Sequence, residues 1–311
     1  MSKSKTWAAS IVAVGIATLI GALAGCGKHK DNQSGAGGSG SAAAGGGEAI
    51  ETVRVSGIPN ENPSELQRKY APMVEYLEKK LGAKVEYVPV TDYGAAVQAL
   101  SAGKLDFVWL GGFTHVQSRV MDGSIPLCQR DIDREFKSIF IANTGSGIKT
   151  PADIKGKTFA FGSKGSTSGH LMPRYFLNSE FKIDPEKDLD GAPVYSGAHD
   201  ATVKMVESGK VAAGALDMQV WERLNNEKKV DTSKVTVIWT TPPFVDYVWT
   251  ARKDVDPKLQ EAFKQAFLEL DPGNPEHKVI LDLQGAKKFV PAVPADFDKI
   301  EQVARSSGLL K

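Results

Sequence analysis

Thr158-Phe-Ala-Phe-Gly162-Ser-Lys-Gly-Ser166-Thr-Ser-Gly169 reads as a short strand that runs into a glycine-rich turn and opens a helix. Thr158–Gly162 is the strand, and helical spacing follows over Ser168–Asn178. Glycines let a backbone approach a ligand closely. The first turn of a helix adds unsatisfied N–H donors at the positive end of its dipole. Ser166, Thr167 and Ser168 contribute three consecutive hydroxyls, which rotate to suit a tetrahedral oxyanion. A Ser or Thr before a helix is also an ordinary N-cap, so the loop alone leaves two readings. A nucleophile elbow is a weaker third, because the central residue is Thr167 rather than serine. No Gly-Lys-Ser/Thr ends the loop, so it is not a Walker A motif.

The same strand–turn–helix rhythm runs in both directions from this stretch. On the N-terminal side, Val53–Ser56 is a strand. Asn62-Pro63-Ser64-Glu65 then supplies an N-cap, an N1 proline and an N3 glutamate, and Gly82 closes the helix. Strands are expected at Lys84–Val90 and Leu105–Leu110, with a helix between them capped by Asp92 and another from about Phe113. On the C-terminal side come Pro193–Ser196 (strand), His199–Ser208 (helix), Val211–Leu216 (strand), Val235–Thr240 and Tyr247–Arg252. The last third is mostly helical, over Pro257–Leu270, Pro275–Leu283 and Asp296–Ser307. Alternating strands and helices define an α/β protein with parallel or mixed sheets covered by helices. Two such runs, separated by Phe136–Ala142 and Val235–Arg252, suggest two lobes joined by two crossings. A cleft is expected at the carboxyl ends of their strands.

Residues 1–49 have a different character. Lys3 and Lys5 precede an uncharged, apolar run from Trp7 to Leu23, the pattern of a secretory signal peptide over residues 1–25. Leu23-Ala24-Gly25-Cys26 resembles the bacterial lipobox, which implies a lipid-bearing Cys26 as the mature N-terminus. A Gly/Ser/Ala linker then fills residues 26–49 and has little to pack. The second cysteine, Cys128, lies in the strand-like Ile125–Gln129 and reads as a buried structural thiol.

Charge narrows the partners. The 311 residues carry 38 basic and 37 acidic side chains, so there is no basic field for nucleic acid. Without Lys3 and Lys5 the balance falls to 36 against 37. An anion site in such a chain must rely on hydroxyls, helix N-termini and at most one histidine. Candidates stand at the same strand-end level as the hydroxyl loop: Tyr93 after the Asp92 cap, His199 in Ser196-Gly-Ala-His-Asp200, Asp217 after Leu216, and Asp246 in the second crossing. Each also has a structural reading, as a packed aromatic, a satisfied histidine or a helix cap. A buried carboxylate beside an anion repels it unless a proton lies between them. Asp217 and Asp246, if they face the ligand, favour one with an acidic O–H or an amino group over sulfate or selenate.

Five segments in order carry a resemblance: Val90-Thr-Asp-Tyr93, Asp106-Phe-Val-Trp-Leu-Gly111, Gly165-Ser-Thr-Ser-Gly169, Ser196-Gly-Ala-His-Asp200 and Pro242-Pro-Phe-Val-Asp246. Together they resemble the substrate-binding proteins of phosphate, phosphite and phosphonate ABC importers. Where those binders tend to carry an aromatic after the tryptophan of the third strand, this chain has Leu110. Ile58–Pro63 and Gly169–Tyr175 are also similar to a sub-branch associated with selenate import. The resemblance implies a two-lobed, type II periplasmic-binding-protein fold, each lobe a mixed sheet flanked by helices, with a two-segment hinge. It places lobe one at 50–142 and 247–311 and lobe two at 143–246. It implies an extracytoplasmic, lipid-anchored monomer that captures a small oxyanion and passes it to a permease and its ATPase. No catalysis, metal or organic cofactor is implied, and a periplasmic sensor working with a histidine kinase is the alternative use of the same domain. Tyr93, Ser166, Thr167, Ser168, His199 and Asp246 are the implied ligand-binding residues, with Asp217 beside them.

Overall fold

The computed structural model describes residues 52–311. The signal segment, Cys26 and the linker lie outside the described residues. From Thr52 onward the chain builds two mixed sheets, each covered by helices.

The first sheet contains β1 (Val53–Gly57), β2 (Val85–Tyr87), β3 (Phe107–Leu110), β4 (Ile125–Arg130), β10 (Val248–Ala251) and β11 (Phe289–Pro291) in the order β11-β4-β10-β3-β1-β2. The second contains β5 (Ser138–Asn143), β6 (Phe159–Phe161), β7 (Val194–Tyr195), β8 (Ala213–Asp217) and β9 (Val235–Thr240) in the order β7-β6-β8-β5-β9. The two share a plan. β2-β1-β3 and β7-β6-β8 are parallel, and the strand beside β3 or β8 is antiparallel. In each case that neighbour, β10 or β5, adjoins a crossing between the sheets. The crossings are tied to each other: Phe136 and Phe244 exchange backbone hydrogen bonds of 2.8 and 2.9 Å.

Local chemistry sets the element ends. In α1 (Pro63–Leu81) the Asn62 side chain accepts from the Glu65 N–H, and Gly82 closes the helix at φ 62°. In α2 (Tyr93–Ser101) Asp92 accepts from the Ala95 N–H at 2.8 Å. β2 is shorter than the expected Lys84–Val90, because Pro89 lacks an N–H for the ladder. α3 (Gly112–Asp122) begins directly after Gly111.

The expected helix over Ser168–Asn178 is a π-helical turn, Thr167–Leu171, followed by α4 (Met172–Ser179). Pro173 cannot donate to the Gly169 carbonyl, and that carbonyl instead accepts the Gly162 N–H at 2.7 Å. The proline thus helps close the two ends of the hydroxyl loop on each other. α5 (His199–Glu207), α7 (Pro257–Leu268), α8 (Pro275–Gln284) and α9 (Asp298–Ser306) stand near their expected positions, and α6 (Met218–Asn226), which the sequence reading did not place, completes the layers.

Two further features differ from the sequence reading. β5 pairs with β8 and β9, so sheet membership changes before Ser138 rather than after Ala142. β11 was not expected, since a three-residue strand ending in proline has no alternation to read.

The first sheet packs on an aromatic cluster that includes Phe107, Trp249, Phe263 and Phe267. The second is buried on both faces. Ile139, Ile141 and Leu216 point to one side, and Phe140, Phe159 and Phe161 to the other. Cys128 is buried in the first core and free, and burial pushes its thiol well above the usual range, as expected for a structural cysteine.

Candidate oxyanion site

The carboxyl ends of the parallel strands β1, β3, β6 and β8 lead to one cluster of buried polar groups. All seven residues expected from the sequence are at most 2% exposed: Tyr93, Ser166, Thr167, Ser168, His199, Asp217 and Asp246. At that depth every polar atom needs a partner, so the pairing of each is informative.

Thr167 and Asp246 lie at the contact between the two sheets' loops. The Asp246 Oδ1 accepts the Gly112 N–H at 3.0 Å, and the Thr167 hydroxyl lies beside the same carboxyl and lowers its pKa. The Thr167 Oγ1 in turn accepts the Phe113 N–H at 2.9 Å. The first turn of α3 is therefore capped by a carboxylate from the second crossing and a hydroxyl from the other lobe. Close approach requires glycine here. A Cβ on Gly111 would sit 3.1 Å from Thr167 Oγ1 and 3.2 Å from Asp246 Oδ1. One on Gly165 would meet Tyr93 Cβ at 2.9 Å.

Ser166 is the N-cap of the hydroxyl-loop helix, with its Oγ accepting the Gly169 N–H at 2.9 Å. The helix-cap reading is thus correct for Ser166, and it is compatible with a binding role. The Thr167 and Ser168 N–H groups lie in the first helical turn, where no intrahelical acceptor exists. The Ser168 carbonyl accepts from the Ser138 hydroxyl at 2.7 Å, which fixes the loop against β5.

Two buried atoms in this cluster lack hydrogen-bond partners among the described residues: Tyr93 Oη and Asp246 Oδ2. Tyr93 Oη lies beside Ser166, and burial followed by the Asp246 charge holds its pKa well above the ordinary tyrosine value. Burial pushes the Asp246 carboxyl up to about 7, against the Thr167 and Gly112 hydrogen bonds that lower it. The neighbouring Asp217 and Asp133 carboxylates raise it further. The charges that act on Tyr93 are likewise carboxylates, those of Asp246, Asp217 and Asp200.

His199 and Asp217 form an adjoining network. His199 Nδ1 accepts the Asp217 N–H at 3.3 Å, and Nε2 lies 3.4 Å from the Tyr247 hydroxyl. That hydroxyl donates to Asp217 Oδ2 at 3.0 Å and accepts from Asn60 Nδ2 at 3.1 Å. The set is consistent with a neutral imidazole carrying its proton on Nε2, and burial lowers the His199 pKa accordingly. Asp217 Oδ1 caps α6 through the Gln219 and Val220 N–H groups. The ring's Cε1 edge faces the hydroxyl loop, since a Cβ on Gly169 would stand 3.0 Å from it.

The structure therefore brings Tyr93, Ser166, Thr167 and Asp246 together, with Ser168 behind them and His199 and Asp217 joined through Tyr247. Asn60 and the Gly112 and Phe113 N–H groups are participants the sequence reading did not assign. A separate cavity of about 350 Å³, lined by Asn60, Lys69, Trp109, Arg130, Asp217 and Tyr247, adjoins this network.

A fold of two mixed sheets with a buried oxyanion-type site between their loops is that of the type II periplasmic binding proteins. Residues 55–297 match the family model for ABC transporter, phosphonate, periplasmic substrate-binding proteins, and the chain belongs to that family. It is 39% identical over 268 residues to a protein of Prochlorococcus marinus (strain MIT 9301) named "Probable ABC transporter phosphite binding protein PhnD1", covering 82% of this chain and 89% of that one. The solved structure of PhnD1 from that organism in complex with methylphosphonate superposes with a TM-score of 0.80, at 37% identity, over 84% of this chain and 99% of the other. A phosphate-import protein, PhnD, of Mycolicibacterium smegmatis is 29% identical over 230 residues, 70% of this chain and 72% of its own. These relatives are transport proteins. The chain is accordingly a periplasmic substrate-binding protein of an ABC transporter, of the phosphonate-binding family.

The raised Asp246 pKa has a consequence for stability. The folded protein keeps a proton there that the unfolded chain releases near the ordinary value of 3.8. The stability it contributes is full below about pH 4 and is lost as pH rises through about 7. Asp246→Asn should remove that loss, so its urea midpoint relative to wild type should improve between pH 4 and pH 8. At ~1.4 kcal/mol per pKa unit the change amounts to a few kcal/mol. An offset that stays constant across this range would show that Asp246 titrates normally.

Proposed function

We propose that the ligand is a phosphite or small phosphonate held by Tyr93, the Ser166–Ser168 loop and Asp246. The observation that carries this is the pair of buried, unpartnered atoms Tyr93 Oη and Asp246 Oδ2, one a hydroxyl donor and the other a carboxyl oxygen able to share a proton. An oxyanion with an acidic O–H satisfies both at once. It accepts from Tyr93 and from the first-turn N–H groups, and a single proton bridges it to Asp246. Sulfate and selenate bring no proton, so above the Asp246 pKa of about 7 they meet an ionised carboxyl in a cluster whose neighbouring charges are also carboxylates. His199 supports the site from behind, through its contact with the loop and its bonds to Asp217 and Tyr247. Its nitrogens are directed there rather than at Ser166 or Thr167, which supports a receptor and not a hydrolase.

Capture follows from the lobes closing on the anion. Thr167 of the second lobe bonds Phe113 of the first, a contact that parting the lobes would break. A ligand that contacts both sides favours the closed form. The closed protein, a monomer on this reading, delivers its cargo to the permease and ATPase of the transporter. It is tethered by lipid on Cys26 through the linker, which keeps it at high effective concentration beside that partner.

Titration calorimetry should detect phosphite and methylphosphonate at micromolar affinity or tighter, with sulfate and selenate failing to compete. Thr167→Ala should weaken phosphite binding by about 1–3 kcal/mol. Selenate binding without any phosphorus ligand would contradict the assignment. Separately, Cys26→Ser expressed in a bacterial host should move the protein from the membrane to the soluble extracytoplasmic fraction. A variant that stays membrane-bound would contradict the anchor.

A further inference from the structure

Charged side chains also meet across the cleft, between the start of α1 and α6. Glu61, just before α1, has a side chain with 0% exposure. It is paired with Lys69 of α1 in its own lobe and with Arg223 of α6 in the other. Glu65, in the first turn of α1, faces Lys229 at 3.2 Å and Arg223 at 3.8 Å. Asn62 Nδ2 donates to Asp200 across the same cleft at 3.3 Å. Glu61 and Glu65 of the first lobe thus face Arg223 and Lys229 of the second.

These pairs are not equivalent. Glu65 with Lys229 involves a lysine side chain that is 48% exposed, and water and salt screen such a pair. Glu61 is different. Separating the lobes leaves it with Lys69 alone, and a buried carboxylate that loses one of two cationic partners is strongly disfavoured until water reaches it. Lys69 is itself poorly placed to compensate, because burial and the Arg130 charge lower its pKa to about 8.

We propose that Glu61 and Arg223 are positioning residues for ligand capture. Their ion pair across the cleft holds the lobes shut and sets how long the anion is retained, without touching it. The inference rests on the closure reading above. Apparent affinity is the intrinsic affinity scaled by the fraction of competent, closed protein. A contact that changes only that fraction must change the affinity for every ligand by the same factor. This separates a latch from a residue that reads the ligand.

The test measures binding and closure together in the full chain. Dyes on Lys104→Cys and Lys187→Cys, exposed sites on opposite lobes, report closure by fluorescence transfer in a Cys26→Ser background. In the parent, phosphite should raise transfer. Arg223→Gln should lower the closed fraction at subsaturating phosphite and raise the Kd about tenfold for phosphite and for methylphosphonate alike, with faster dissociation of both. Glu61→Gln combined with Arg223→Gln should cost less than the two single effects multiplied, because both remove one interaction. Arg223 is only partly buried, with its side chain 21% exposed, so its variant tests the pair even if Glu61→Gln folds poorly. Unequal changes for the two ligands, or a Kd within twofold of the parent, would overturn the latch. Binding by the parent with no change in transfer would overturn closure itself, and the latch with it.

Discussion

Everything at the site turns on one buried carboxyl group. Asp246 stands where the chain returns from the second sheet to the first, with its own N–H bonded to the Asp133 carbonyl at 2.9 Å. Its Oδ1 holds the first turn of α3 and meets Thr167 from the opposite lobe. The crossing, a helix N-terminus and the hydroxyl loop are therefore fixed by a single side chain. Such a group is costly to bury charged, and its raised pKa expresses that cost.

That arrangement explains how a chain with almost no net charge can serve as an anion receptor. The groups that converge on the site are hydroxyls, backbone N–H donors and carboxyls, and the charges acting on Tyr93 and Asp246 raise rather than lower the local barrier to a bare anion. On the proposed reading, discrimination comes from the proton shared between the anion and Asp246. The nearby cations are engaged elsewhere: Arg130 with Asp133 at 2.6 Å, and Lys69 and Arg223 with Glu61.

Much of this was legible in the sequence where the chemistry is local. The Asn62 and Asp92 caps, the Gly82 stop and the strand preceding the hydroxyl loop depend on residues a few positions apart, and they stand where their patterns place them. Tyr93, Thr167 and Asp246 were visible as strand-end or crossing residues, but their convergence joins segments more than seventy positions apart. Asn60 and Tyr247 carry no signal of their own. Their value lies in a hydrogen-bond network that exists only once Asp217 and His199 are packed beside them. The edge of the first lobe was misplaced because β5 is an apolar run that either sheet could accept. The π-helical turn was missed because its cause, Pro173, looks like an ordinary helix-start proline.

The most direct measurement is the number of protons taken up on binding, from calorimetry of phosphite at pH 8 in buffers of different ionisation enthalpy. Asp246, with a pKa of about 7, is largely ionised there and phosphite is largely a dianion. Close to one proton should enter with each ligand, and the uptake should disappear in Asp246→Asn. Tight binding by the wild-type protein with no proton uptake would mean that Asp246 does not share a proton with the anion, and the basis proposed here for selectivity would be wrong.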